Sequence, residues 1–299
     1  MKCAAIDIGT NTILLLIAEK IGNTFRDIED MSTIVRLGEG LVHSGALKED
    51  AIARTIHGLR NYLEIAGRHR VEKIFCVGTE ALRKARNAGY FIDRVKDMFG
   101  LDIEIISGRD EAYYTYLSVS RDGAIAHKDM TIIDIGGGST EIIAGTDREF
   151  AGYVSLPLGS VVLTDSFVSH DPPEEGELQS VASFIRQNLN DASYSRAGVL
   201  IGTGGTVTNI AALMLGIPQY DKSKVHKYSI RIQDLKKLIS SLASLDSKAR
   251  KACTGMEAGR EDIIVQGAMI LSETMTHGGF DECVVSAAGV RYGLMYERC

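Results

Sequence analysis

The sequence predicts an α/β protein of two domains, and three observations carry that prediction. Short apolar runs suited to buried strands alternate with amphipathic stretches at helical spacing, joined by short connections. The chain has 299 residues, enough for two domains with cores of their own. One passage is also written twice: residues 4–18 read AAIDIGTNTILLLIA and residues 131–145 read TIIDIGGGSTEIIAG. Asp7 and Asp134 occupy the same slot, 134 − 7 = 127 residues apart, a spacing of about one domain.

Each element follows from local pattern. Residues 1–37 read as two or three antiparallel strands. Ile52, Ile56, Leu59, Leu63 and Ala66 recur at spacings of four and three, which predicts a helix over 48–66. KIFCV at 73–77 is a short buried strand, followed by a helix from about Glu80 to Met98 with Thr79 as N-cap. DIEII at 102–106 is a further strand, and Ser107 to Asp110 forms a capping box that opens a helix carrying Glu111. The second half repeats the plan, with strands through 130–157, helices near 160–168 and 174–190, and a strand at 198–202. That strand runs into the turn GTGGT and a helix over 206–215. Residues 216–230 read as a loop; helices follow at 232–245, about 260–277 and 289–297, with a strand at 282–287. The stretch SRDGAIAHKD at 120–129 is the expected hinge, giving domains 1–122 and 123–299, with the C-terminal helix able to pack back on the first domain.

Composition narrows the class. Apolar residues make up 45% and charged residues 24%, ordinary for a globular protein in water. There is no eighteen-residue apolar run, so no membrane span is expected, and no basic-then-apolar leader precedes the first strand. The cysteines (Cys3, Cys76, Cys253, Cys283, Cys299) contain no CxxC pair, which argues for reduced thiols in the cytoplasm and against a zinc site or a disulfide frame. The net charge is −6, and the basic residues fall in short groups (Arg83/Lys84/Arg86, Lys222/Lys224/His226/Lys227, Lys236/Lys237, Lys248/Arg250/Lys251) that read as solvated surface. Duplex nucleic acid is not an expected partner. Homodimerisation is left open.

The duplicated passage points to anion chemistry. Each copy is a β-hairpin whose small-residue turn exposes backbone N–H groups beside one carboxylate. Glycines let a backbone approach an anion closely, and clustered amides attract it. Gly136, Gly137, Gly138, Ser139 and Thr140 offer amides and hydroxyls to phosphate from one copy, and Gly9, Thr10, Asn11 and Thr12 from the other. Gly204, Gly205 and Thr206 form a third glycine turn at a helix N-terminus, where dipole and free N–H groups favour anions. Two hairpins facing each other across a cleft would grip a phosphate from both sides. Asp134 ends one strand and Glu141 lies early on its partner, so a hairpin brings them together as candidate ligands for Mg²⁺, which takes one or two carboxylates plus water and phosphate oxygens. Asp7 is a candidate outer-shell third. For each of these the alternative is a tight turn, its cap and a surface strand residue.

The same paired DxG signature resembles the actin-like fold of sugar kinases, actin and chaperone ATPases, two RNase H-like domains with a cleft between them. The blocks IDIGTNTILLL (6–16), VGTEALRKARNA (77–88), ISGRDEAYYTYL (106–117) and IDIGGGSTEII (133–143) narrow the resemblance. So do SLPLGSVVLTDSF (155–167), IGTGGTVTNIAAL (201–213), GREDIIVQGAMIL (259–271) and SAAGVRYGLMYE (286–297). In that order they resemble the exopolyphosphatase/guanosine pentaphosphate phosphatase family over nearly the whole chain. Two departures stand out: Thr-Asn-Thr in the first turn where many members have Ser-Asn-Ser, and Glu261 where a small residue is usual. Long members carry a further helical C-terminal region that this sequence lacks, so the resemblance is to the catalytic core. The resemblance implies a Mg²⁺-dependent hydrolase that releases a terminal phosphate from inorganic polyphosphate or guanosine pentaphosphate. It makes Glu111, in the GRDEA block, the general base, with Asp110 filling the cap role beside it. It makes Arg83, in GTEALRKARN, a substrate-phosphate residue. Arg260 is a candidate second arginine. Arg291 reads as equally compatible with structure, Arg86 as a solvated helix residue, and Tyr113, Tyr114 and Tyr116 as packing.

Three rivals remain. A kinase of the same superfamily would need an adenosine pocket and a base placed for a substrate hydroxyl. A sensor of a phosphorylated nucleotide would have no use for Glu111. A structural actin-like protein would carry polymerisation surfaces, and none is legible.

Overall fold

The structure, a computed structural model, describes residues 1–22, 24–194 and 196–299. The chain divides into two compact units, Met1–Ser118 together with Val290–Cys299, and Val119–Gly289.

The first unit is built on β1 (Lys2–Ile8), β2 (Thr12–Ile21), β3 (Thr24–Ile34), α1 (Leu41–Ser44), α2 (Glu49–Arg68), β4 (Lys73–Gly78), α3 (Glu80–Lys84), α4 (Ala88–Phe99), β5 (Glu104–Ile105), α5 (Gly108–Ser120) and a terminal helix, Val290–Arg298. Its sheet has the order β3-β2-β1-β4-β5. The first three strands are antiparallel neighbours and the last two join in parallel. β1 runs down the middle and is buried from Cys3 to Ile8, so its sequence is continuously apolar apart from Asp7. The helical spacing read over 48–66 is α2: Ile52, Leu59 and Ala66 are buried, and the Tyr62 hydroxyl donates to the Ile13 carbonyl at 3.0 Å.

The single helix expected over 80–98 is two. Asn87 binds both the N–H and the carbonyl of Leu47, at 2.8 and 3.0 Å, and Arg86 donates to the Ser44 carbonyl at 2.8 Å. Those polar bonds pull residues 85–87 out of helical register, and Arg86 is a loop tie rather than a solvated helix residue. Thr79 sits at the N-cap of α3 without a side-chain cap bond. The capping box opening α5 is present, with Ser107 and Asp110 bonding each other's N–H groups at 3.3 and 3.2 Å.

The second unit contains β6 (Met130–Ile135), β7 (Thr140–Gly145), β8 (Phe150–Leu156), α6 (Ser160–Phe167), α7 (Glu175–Asp191), β9 (Val199–Thr203), α8 (Gly204–Leu215), α9 (Lys222–Val225), β10 (Ser229–Arg231), α10 (Ile232–Ala243), α11 (Ser247–Lys251), α12 (Ile264–Gly278) and β11 (Glu282–Val285). Its sheet reads β8-β7-β6-β9-β11-β10. The first five strands repeat the order and directions of the first unit's sheet, and β10 adds an antiparallel edge. The expected loop at 216–230 therefore holds one helical turn and an edge strand. Asp221 caps that turn by accepting from the Ser223 N–H at 3.0 Å. Among the described residues no helix is long and apolar enough to cross a membrane.

The cysteine reading needs correction. Cys3 and Cys299 form a disulfide with Cα atoms 6.6 Å apart, while Cys76, Cys253 and Cys283 are free thiols. A separation of 296 residues gives no sequence signal. The pairing arises because the terminal helix packs on the first unit. Gly293 lies against the Tyr114 carbonyl so closely that a Cβ would come within 1.8 Å of it, and Arg298 donates to the Tyr114 hydroxyl at 2.8 Å. Arg291 donates to Asp30 at 2.6 Å, and the Tyr292 hydroxyl to Asp27 at 2.5 Å. Reduction, or Cys299→Ser, should lower stability by about 2–5 kcal/mol, because the open chain regains loop entropy. Thiol titration of the unfolded protein should give three reactive groups before reduction and five after; five at the outset would remove the bond.

Candidate functional site

The two DxG hairpins fold alike to the level of single hydrogen bonds. The Gly9 N–H donates to the Thr12 carbonyl at 3.0 Å, and the Gly136 N–H to the Ser139 carbonyl at 3.0 Å. In register, Asp7 stands opposite Leu14 and Asp134 opposite Glu141. The second hairpin thus carries a carboxylate where the first has a leucine. Only the second offers two facing carboxylates.

Around that pair, the second unit gathers most of its expected residues. Asp134 is also in register with Thr203 at the end of β9, and the next residue, Gly204, has φ 89. A Cβ on Gly204 would lie 2.6 Å from an Asp134 carboxylate oxygen, so only glycine fits there. Gly205 leaves the same kind of room for Arg260, whose guanidinium would come within 2.1 Å of a Cβ at that position. Arg260 is buried and ion-paired with Glu257, which brings it onto the third glycine turn. Glu141 is buried and accepts from the Ser155 hydroxyl on β8 at 2.7 Å. The Gly136–Gly138 turn is clamped from behind: Ser160 and Val161 N–H groups donate to the Gly136 and Gly137 carbonyls at 3.0 Å each, and the Thr140 hydroxyl donates to the Leu158 carbonyl. The unusual Glu261 accepts from the Gly259 N–H at 2.5 Å, and the buried Arg250 donates to its backbone carbonyl at 2.6 Å. Both bonds fix the loop that presents Arg260.

Among the described residues no three His, Cys, Asp or Glu side chains gather as a metal cage. Asp134 and Glu141 are what the second hairpin offers a cation. Two facing carboxylates in an oxygen-rich setting fit Mg²⁺, which keeps several waters and binds through few protein ligands.

In the first unit, Arg83 and Glu111 are brought together at 2.7 Å. The guanidinium also donates to Glu80 through two nitrogens, at 3.1 and 2.9 Å, and to the Ile106 carbonyl at 3.0 Å. Burial works against its charge, but Glu111 and Glu80 hold its pKa above the usual arginine value. Glu111 is 9% exposed, on the first turn of α5. Thr10 and Asn11 are buried, and their carbonyls accept from Gly38 (2.8 Å), Val35 (3.0 Å) and Arg36 (2.9 Å), which pins the first turn to the loop after β3. Asp7 is buried beside Arg291 and Cys76. Burial opposes the Arg291 charge while Asp30, Tyr292 and Asp7 raise its pKa; burial, with Asp7 adding, pushes the Cys76 thiol far above its ordinary range. Sequence reasoning passed over Glu80 and Ser155. The signal for Glu80 was available, since it lies three residues before Arg83 on one helical turn. Ser155 had none, because cross-strand pairing placed it.

Duplicated sheets of this order, each with a DxG hairpin at its centre, define an actin-like phosphotransfer protein. The family model of the Ppx/GppA phosphatase family matches residues 16–299, and the chain belongs to that family. It is 31% identical to exopolyphosphatase 2 of Mycobacterium tuberculosis, over 98% of this chain and 97% of that protein. It is 28% identical to a guanosine-5'-triphosphate,3'-diphosphate pyrophosphatase of Vibrio parahaemolyticus, over 98% of this chain and 58% of that one. Among solved structures, the Aquifex aeolicus family member superposes with TM-score 0.84 at 32% identity, covering 99% of this chain and 97% of that one. An exopolyphosphatase from Cytophaga hutchinsonii superposes with TM-score 0.90 at 26% identity, covering 99% and 97%.

Proposed function

We propose that this protein is a phosphoanhydride hydrolase that releases terminal orthophosphate from inorganic polyphosphate. The observation that carries the reading is the Arg83–Glu111 pair at 2.7 Å, which sets a buried carboxylate beside a guanidinium able to fork phosphate oxygens. Glu111 orients the attacking water and accepts its proton as the oxygen bonds to the terminal phosphorus and the bridging P–O bond breaks; the shortened chain leaves with the bridging oxygen, and the attacked phosphorus is released as orthophosphate. Arg83 has both edges engaged, so a substrate phosphate must replace Glu111 on Nη1. That exchange frees the carboxylate only when substrate is present. Within the second unit the amides of Gly136–Thr140 and the Gly204–Thr206 turn with Arg260 hold phosphate oxygens, and within the first the Gly9–Asn11 turn offers the same chemistry. Mg²⁺ held by Asp134 and Glu141 would neutralise phosphate charge. We assign Asp7, which neighbours Arg291, an outer-shell role.

Guanosine pentaphosphate is the second substrate reading, favoured by the Vibrio parahaemolyticus relative. With Cys3 and Cys299 bonded, the cysteines no longer speak for a reducing compartment. We keep the cytoplasm because polyphosphate and guanosine nucleotides are polyanions that do not cross a bilayer unaided. The test is orthophosphate release from long polyphosphate, tripolyphosphate and guanosine pentaphosphate, side by side with Mg²⁺. Release from polyphosphate is expected. Binding of all three without turnover would point to a sensor, and transfer of phosphate from ATP to an acceptor to a kinase.

The third glycine turn gives a further check. Gly204→Ala forces a side chain into a left-handed backbone and against Asp134. Activity should fall by about tenfold or more while the protein still folds, since backbone strain of this kind costs roughly 1–3 kcal/mol. A folded variant with unchanged Mg²⁺ dependence and turnover would show that the Asp134–Gly204 contact is structural only.

A further inference from the structure

The loop that presents Arg260 is held from behind, and the hold has one centre. Arg250 lies on α11, 2% exposed, and its guanidinium joins three separate segments of the second unit. Nε donates to the Leu245 carbonyl at 2.9 Å, Nη1 to the Glu261 carbonyl at 2.6 Å, and Nη2 to the Asp171 carboxylate at 2.6 Å. Asp171 is fixed in turn by Ser247, whose N–H donates to its two oxygens at 3.0 and 2.9 Å and whose hydroxyl donates at 2.5 Å. A second tie grips the loop from the other side. Gly259, with φ 92, turns its N–H onto the Glu261 carboxylate at 2.5 Å. The residues on either side of Arg260 are thus each held, and the Arg260 carbonyl starts α12 by accepting from Ile263 at 3.1 Å and Ile264 at 2.9 Å.

Stability alone does not call for an arginine at position 250. A buried charge is costly, and an apolar side chain of like volume is often at least as stable in its place. What an aliphatic chain cannot do is bind three acceptors in fixed directions, as a planar guanidinium does. One of those acceptors is the backbone next to Arg260. The Arg260 guanidinium itself has little latitude: Glu257 pairs with its Nε, and its Nη2 lies where a Cβ on Gly205 would come within 2.1 Å. A shift of about 0.5 Å in the loop would move it off the third glycine turn, the tolerance within which a binding group must be held. Glu261, the departure from the small residue usual there, spends its carboxylate on the same loop, with Lys251 3.9 Å away.

We propose that Arg250 and Glu261 are positioning residues for phosphate binding, acting through Arg260; the proposal rests on the phosphohydrolase reading above. Arg250→Met fills the same space without the fork. Asp171 is half-exposed and keeps its bonds from Ser247, so the variant should fold. Its KM for Mg²⁺-tripolyphosphate should rise about tenfold, a part of the roughly 10- to 100-fold that losing a charged hydrogen bond in Arg260→Gln should cost. Its kcat should change less, because the binding lost is common to ground and transition states. Glu261→Ala should act in the same direction. In an Arg260→Gln background neither substitution should raise KM further, since there is nothing left to position. Arg250→Lys keeps the charge but not the planar fork, so its KM should stay near that of Arg250→Met. A KM for Arg250→Met equal to wild type, a rise that persists in full on Arg260→Gln, or full recovery with lysine would overturn the proposal while the hydrolase reading stands. Should Arg250→Met not fold, Glu261→Ala, at a half-buried position, gives the same comparison with and without Arg260. If wild type releases no orthophosphate from any of the three substrates, the hydrolase reading itself fails.

Discussion

Glu111→Gln should lower orthophosphate release by about 10²–10⁴-fold, the usual contribution of a positioned general base. The substitution keeps the shape of the side chain and removes only its ability to take a proton. The glycine turns and Arg260 are untouched, so Mg²⁺-tripolyphosphate should still bind, and a single-turnover measurement should place the loss in the chemical step. Arg83→Gln gives the partner result. With the guanidinium 2.7 Å from Glu111 removed, a phosphate ligand is lost, so KM for Mg²⁺-tripolyphosphate should rise by about 10- to 100-fold. A folded Glu111→Gln protein working at near wild-type rate would remove Glu111 from the chemistry.

Asp134→Asn and Glu141→Gln should each raise the Mg²⁺ concentration for half-maximal activity by at least about tenfold, the scale seen when metal-site partners are lost. The two residues stand opposite each other across the β6–β7 ladder, so either amide leaves one carboxylate where there were two. Asp7→Asn should have a smaller effect, because Asp7 faces Leu14 in its own hairpin and neighbours Arg291. Ser155→Ala offers a graded control, since it removes the hydroxyl that fixes Glu141 without changing charge. Mg²⁺ titrations of the Asp134 and Glu141 variants that overlay wild type would rule out the assignment.

Most of the architecture was legible from local pattern, for a physical reason. Burial on a sheet or helix face imposes a period on the chain, so α2 could be read from Ile52, Ile56, Leu59 and Ala66, and the repeated hairpins from their shared Asp-Ile-Gly turn. The candidate residues were legible where chemistry and turn geometry coincide in a few consecutive positions, as in Gly136–Thr140 and Gly204–Thr206. Breaks in pattern were not legible. The split between α3 and α4 depends on Asn87 and Arg86 finding carbonyls and amides near residues 44–47, and nothing within the 80–98 segment announces those partners.

The sequence by itself determined the α/β class, the internal duplication, and the family to which the chain belongs. Each of these is encoded in side-chain periodicity or in short motifs that need only their neighbours. Tertiary structure alone decided which groups meet. It paired Arg83 with Glu111, set Ser155 on Glu141, placed Arg260 on Gly205, closed Cys3 to Cys299, and tied Arg250 to Asp171. Each joins residues distant along the chain, and such a contact forms only when separate elements have packed and the cost of closing the intervening loop has been met.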